Sequence, residues 1–112
     1  MTKLDALKAL AEKVEAGDTE AVRELIVHDD ESFDPRWLGV GRIMEGSLDA
    51  AKALMGSVLP EDRWEWQVSY LGAKVGFDGL DGYAEFVVDD RSDPARAWLL
   101  CILKALIWKE EQ

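Results

Sequence analysis

Seven consecutive residues, Ala97 to Leu103, are apolar, and this run limits the possible folds more than any other feature of the chain. Just upstream, Ser92 and Asp93 have the short polar side chains that cap a helix. Pro94 then fits the first turn, where its missing N–H costs nothing and its ring presets φ. The segment therefore reads as a helix running to about Lys109. A helix lying on a protein surface shows a single apolar stripe. This one is apolar on every side, so the rest of the chain must wrap around it. The run is too short to cross a bilayer, which takes about 20 residues.

The wrapping comes first from strands. Trp64, Trp66, Val68 and Tyr70 alternate with Glu65, Gln67 and Ser69, the period of two that marks a half-buried strand. Ala73 to Phe77 reads as a second strand and Tyr83 to Val88 as a third. Between them lies a turn, Gly79 to Gly82, containing the favoured Asp81-Gly82 pair. Links this short imply an antiparallel meander.

Helices supply the rest. Leu4, Leu7, Ala11 and Val14 follow helical spacing behind a Thr2 cap, and Gly17 ends that helix. Asp18 caps a second helix, about Thr19 to His28, with Val22, Leu25 and Ile26 inward, so the two form a helical hairpin. Ser47 caps a helix from Leu48 to about Ser57, and Pro60 closes it. The reading is one α+β domain over 1–112. It has N-terminal helices over about 2–28, an acidic loop over 29–46 with Trp37, Leu38 and Val40 tucked inward, and a helix–sheet–helix unit over 47–109. Its three-stranded antiparallel β-meander is expected to pack between helices as an α-β-α sandwich.

At 112 residues with 48% hydrophobic content, the chain can bury a real core without disulfides or metals. Its single cysteine, Cys101, fits a reducing compartment. The segment Met1–Leu10 is charged and does not resemble a signal peptide, so the cytoplasm is the expected location. The net charge is −10, from 23 acidic and 13 basic residues. Such a field repels nucleic acid and anionic membrane and suits a protein partner with a basic surface. It also serves solubility.

The chemical motifs are sparse. His28, Asp29, Asp30 and Glu31 are adjacent, but neighbouring side chains rarely converge on one metal. They read as a solvated helix end, with His28 beside the C-terminal dipole. Asp78, Asp81, Asp89, Asp90 and Asp93 form the denser acidic group, placed by the expected hairpin at one end of the sheet. They read either as carboxylates offered to a partner's Lys or Arg, or as polar turns with a cap at Asp93. They lack the alternating oxygens and final Glu of a calcium loop. Cys101 lies among Leu99, Leu100, Ile102 and Leu103 and reads as a structural thiol. Trp64, Trp66 and Tyr70 share a strand face that Trp37, Trp98 and Trp108 can cover. Trp108, near the helix end, is the tryptophan best placed to meet a partner. Gly72, Gly76, Gly79 and Gly82 do not open a helix, so they form no phosphate loop. No catalytic, metal-binding or cofactor-binding residue is expected.

The order of elements resembles the phage ABA sandwich domain family. The resemblance is carried by Ser47-Leu48-Asp49-Ala50-Ala51 opening a helix and by Pro60 before an aromatic strand starting at Trp64. It continues in a closing helix from Asp93-Pro94-Ala95 through Ala97, Leu99, Cys101 and Ala105. Leu4 to Asp18, ending Glu15-Ala16-Gly17-Asp18, resembles the family's N-terminal helix. Trp98 and Leu100 depart from its smaller residues. The resemblance implies a helix–sheet–helix sandwich and a phage or prophage origin. The family has no established activity, so no functional residue carries over. The expected function is non-enzymatic: an accessory protein acting by protein–protein binding, in its specific form an acidic inhibitor of a host defence nuclease. Two alternatives are a binder of a signalling nucleotide, using Arg42, Arg63 and Arg91 at oligomer interfaces, and a virion or assembly component. The apolar last helix and five tryptophans fit a homo-oligomer and a monomer equally.

Overall fold

The computed structural model describes residues 2–29, 31–60, 63–79 and 82–112. Two helices lead, α1 (Lys3–Glu15) and α2 (Thr19–His28), followed by a 3-10 turn (Pro35–Gly39), α3 (Val40–Met44) and α4 (Leu48–Val58). Strands β1 (Trp64–Ser69), β2 (Gly72–Gly79) and β3 (Gly82–Asp89) come next, and α5 (Pro94–Glu110) closes the order.

The helix boundaries follow local chemistry. Thr2, Asp18, Ser47 and Asp93 each accept a hydrogen bond from a backbone N–H in the first turn of α1, α2, α4 and α5, which satisfies donors that a helix start leaves open. At the end of α1, Gly17 takes φ 72°. Its N–H reaches Val14 O at 3.0 Å and that of Asp18 reaches Lys13 O at 3.1 Å, the paired closure that a left-handed glycine permits. The Arg96 guanidinium of α5 lies across this glycine; a Cβ there would stand 2.8 Å from Nη1.

The core is organised around α5. This helix packs against α1, α3 and α4 on one side and against all three strands on the other. Leu99, Cys101, Ile102, Leu103 and Ala105 are fully buried, as are Leu7, Leu10 and Val14 of α1 and Val75 of β2. Trp98 stacks on Trp66 of β1, with ring centroids 4.7 Å apart, and its indole N–H donates to Met55 Sδ of α4 at 3.4 Å. The apolar run is thus explained by neighbours on all sides.

The sheet has order β1-β2-β3 with both pairs antiparallel. Register places Trp64, Trp66 and Val68 beside Phe77, Val75 and Ala73, and those beside Ala84, Phe86 and Val88. This face meets α5. The opposite face carries Glu65, Gln67 and Ser69 on β1, Gly72, Lys74, Gly76 and Asp78 on β2, and Tyr83, Glu85, Val87 and Asp89 on β3.

The α+β class, the antiparallel meander and the N-terminal helices are as expected. The helices lie to one side of the sheet, and the polar face stays open. Within 29–46, expected as an acidic loop, Pro35–Gly39 forms the 3-10 turn and Val40–Met44 forms α3. Phe33, Trp37, Val40 and Ile43 are buried there, since apolar side chains in this segment complete the core beside α4. Leu38, expected inside, is 71% exposed because it points away from the turn's buried side, which Trp37 occupies. Tyr70 lies beyond the end of β1 and is exposed, so it does not extend the Trp64–Trp66 face. The residues Leu80 and Asp81 of the expected turn lie outside the described residues.

Leu103 tests the wrapping directly. Leu103→Ala removes a fully buried side chain and should cost about 2–5 kcal/mol, read as a lower midpoint in urea with an unchanged slope.

Candidate functional site

The open sheet face is a feature that packing within the fold leaves unexplained. Alternation puts polar side chains there, and each strand contributes differently. The central strand β2 offers glycine, lysine, glycine at 72, 74 and 76. The flanking strands carry larger side chains, so a shallow trough runs along β2. Lys74 divides it. On one side is a depression of 130 Å³ bordered by Glu65, Gln67, Gly76 and Tyr83. On the other is one of 190 Å³ bordered by Ser69, Gly72, Val87 and Asp89.

Tyr83 gives the trough its shape. Its ring crosses from β3 onto Gly76, where any Cβ would overlap the phenol hydroxyl. Glycine inside a strand often marks such a close approach. The outer side of the ring remains open, and Tyr83 is 53% exposed. Desolvation against the sheet raises the hydroxyl above its ordinary 10.0, reinforced by a hydrogen bond with Glu85 and by the fields of Glu85, Glu65 and Asp78. Three carboxylates therefore act on one phenol. Lys74 Nζ stands 3.8 Å from Glu85 Oε2 and is the one cation among the residues that register places on this face.

The acidic residues singled out in the sequence separate into different roles. Asp78 and Asp89 both belong to the open face, but not at one end of it. Register pairs Asp78 with Tyr83 next to the Gly79–Gly82 pair and Asp89 with Gly72 at the far end, roughly 20 Å apart at strand rise. Asp90 and Asp93 are engaged by the fold. Asp90 accepts from Ser92 N and Oγ at 3.0 and 2.8 Å, from Asp93 N at 3.2 Å, and from Arg96 Nη2 at 2.8 Å. The hydrogen bond from Arg96, followed by those from Ser92, holds its carboxyl down at about 2. Asp93 Oδ1 accepts from Arg96 N at 3.0 Å and starts α5. Asp81 lies outside the described residues.

Trp108 is half-buried. Its ring packs against Phe77, Phe86 and Trp64 at centroid distances of 5.6, 6.0 and 6.4 Å. It also borders a 540 Å³ depression with Arg63, Phe77, Tyr83 and Ala84. Of the cationic trio, only Arg63 lies here. Arg42 borders a separate depression beside Glu45 and Ser47.

The remaining candidates are quiet. His28 is exposed at the end of α2, Asp30 lies outside the described residues, and no metal-holding group of His, Cys, Asp and Glu forms among those described. Cys101 is buried, donates to Ala73 O at 3.3 Å, and is pushed up to about 11 by desolvation. A thiol in that state is a poor nucleophile. Among the described residues no helix is long and apolar enough to cross a membrane.

Glu65, Lys74, Tyr83 and Glu85 were not singled out by the sequence. The alternation on β1 did mark Glu65 as outward, and glycine inside β2 was the available hint. What composition could not reveal was which sheet face the helices leave open.

No protein-family model, no curated protein and no solved structure matches this chain.

The Asp90 contacts predict an acid transition. Its folded value, about 2, lies below the ordinary 3.8. Its contribution is therefore full above the ordinary value and is lost as pH falls through the folded one. Asp90→Asn should lower the melting temperature at pH 7 and flatten the loss of stability between pH 4 and pH 2, read by calorimetry across that range.

Proposed function

We propose that this chain is a non-enzymatic binding protein whose partner is a protein with a basic surface. The observation that carries this reading is the open sheet face. A three-stranded sheet covered by helices on one side alone leaves Glu65, Asp78, Glu85 and Asp89 outward against Lys74, in a chain of net charge −10. Opposite charge steers association and selects partners.

The order of helix, meander and closing helix over 48–110 supports an origin as a phage or prophage accessory protein working in the host cytoplasm. In its specific form the partner is a host defence nuclease, whose nucleic-acid channel carries the Lys and Arg that an acidic face would occupy.

The test is capture of partners by tagged protein from its bacterial host, repeated with Glu65→Lys/Glu85→Lys. A stoichiometric basic partner retained by the parent chain and lost by the variant is expected, with binding that weakens steeply between 50 and 200 mM salt. Recovery of the chain alone, or of a partner indifferent to both the variant and the salt, would overturn the reading. Charge reversal at Asp90 or Asp93 is a poor probe, because both are tied into the start of α5.

One observation favours a second reading, a small-molecule binder. The 540 Å³ depression sets Arg63 beside Phe77 and Trp108, a cation next to rings as a nucleotide requires. Titration calorimetry with a nucleotide panel decides it: heat that disappears in Arg63→Ala supports the reading, and no heat across the panel ends it.

A further inference from the structure

We infer that the open sheet face recognises arginine: the outward side of the Tyr83 ring is a platform for a guanidinium of the basic partner, which Glu65 and Glu85 flank from the two outer strands. This rests on the proposed protein-binding function and names the surface and chemistry through which it works.

Three observations converge on one spot. The first is the geometry of Tyr83. The residue sits on β3, yet its ring lies over Gly76 of the central strand. Its hydroxyl end thus sits against the backbone of Gly76 while the residue stays 53% exposed. The exposed π-face of a tyrosine attracts a cation. The second is the ring's surroundings. Glu65 and Glu85 stand on the strands either side of Gly76, directly paired with it in register, and with Asp78 they place the hydroxyl in a negative field. A cation above the ring therefore gains from the π-face and from carboxylates at its edges together. The third is space. The 130 Å³ notch among Glu65, Gln67, Lys74, Gly76 and Tyr83 has the scale of a single side-chain head.

Arginine fits better than lysine. Guanidinium is planar, so it stacks on a flat ring while its edge donors reach carboxylates, and it sheds water more readily than ammonium does. Lys74 also sets the position. It stands beside Glu85 and forms the wall between the notch and the Gly72 depression. An incoming cation is held to the Tyr83 side of that wall. Beyond it, Val87, 50% exposed, offers apolar contact to the partner's neighbouring residues.

The test uses the full chain labelled with nitrogen-15 and titrated with a blocked peptide of alternating arginine and glycine, beside its lysine counterpart. Amide shifts should cluster at Gln67, Lys74, Gly76, Tyr83 and Glu85, with the arginine peptide binding about threefold or more tighter. Tyr83→Leu should weaken the arginine peptide about threefold and remove its advantage over lysine. Glu65→Gln/Glu85→Gln should weaken both peptides, by about five- to tenfold. Thermal melts check that both variants stay folded; the three residues are surface side chains. Shifts centred elsewhere, equal affinity for the two peptides, or indifference to Tyr83→Leu would overturn the proposal, as would no shift at millimolar peptide. The function reads out separately. A host partner retained by Glu65→Gln/Glu85→Gln ends the arginine site and leaves the binding function standing, whereas no captured partner ends the function itself.

Discussion

Removal of α5 from water is the constraint on which the rest of this molecule depends. The helix exposes apolar groups on every side, and each side needs cover: α1, α3 and α4 on one flank, the sheet on the other. Burial of a side chain such as Leu103 stabilises by roughly 1.5–3 kcal/mol, and the helix carries several of that kind. Other elements can be seen as walls of its enclosure. Two polar devices fix its start. Asp93 caps it, and Asp90 holds Arg96, whose guanidinium also lies against Gly17 at the end of α1.

The same constraint creates the open face. With α5 taking all the cover the helices can give, none is left for the far side of the sheet. That side must then be wet, and its residues are mostly of a kind that tolerate water. Yet Tyr83 and Val87 are each about half exposed there, and a tyrosine ring is fitted to a glycine beneath it. Solvation alone does not require that fit.

Much of this was legible before any coordinates. The α1 cap at Thr2, the stop at Gly17, the Asp18 and Ser47 caps and Pro94 after Asp93 are local signals, and each lands where local chemistry places it. Alternation from Trp64 fixed β1 and its two faces. Segment 29–46 was harder, because it read as an acidic loop while Pro35 in fact opens a 3-10 turn whose apolar residues are recruited by distant elements. The site was less visible still. Asp90 looks like a free carboxylate in a string of letters, and only the arrangement around Arg96 assigns it to structure. Glu65 and Glu85 are far apart in the chain, and it is register through Gly76 that joins them.

The position of α5 as the last element in chain order carries a consequence for how the protein comes into being. The helices and strands made before it have apolar faces shaped to fit a helix that does not yet exist. A ribosome adds about 5–20 residues per second, so those faces wait for seconds, and the enclosure can close only after Glu110 has been added and α5 has left the exit tunnel. Completion of the core therefore waits for α5, the element that the others enclose.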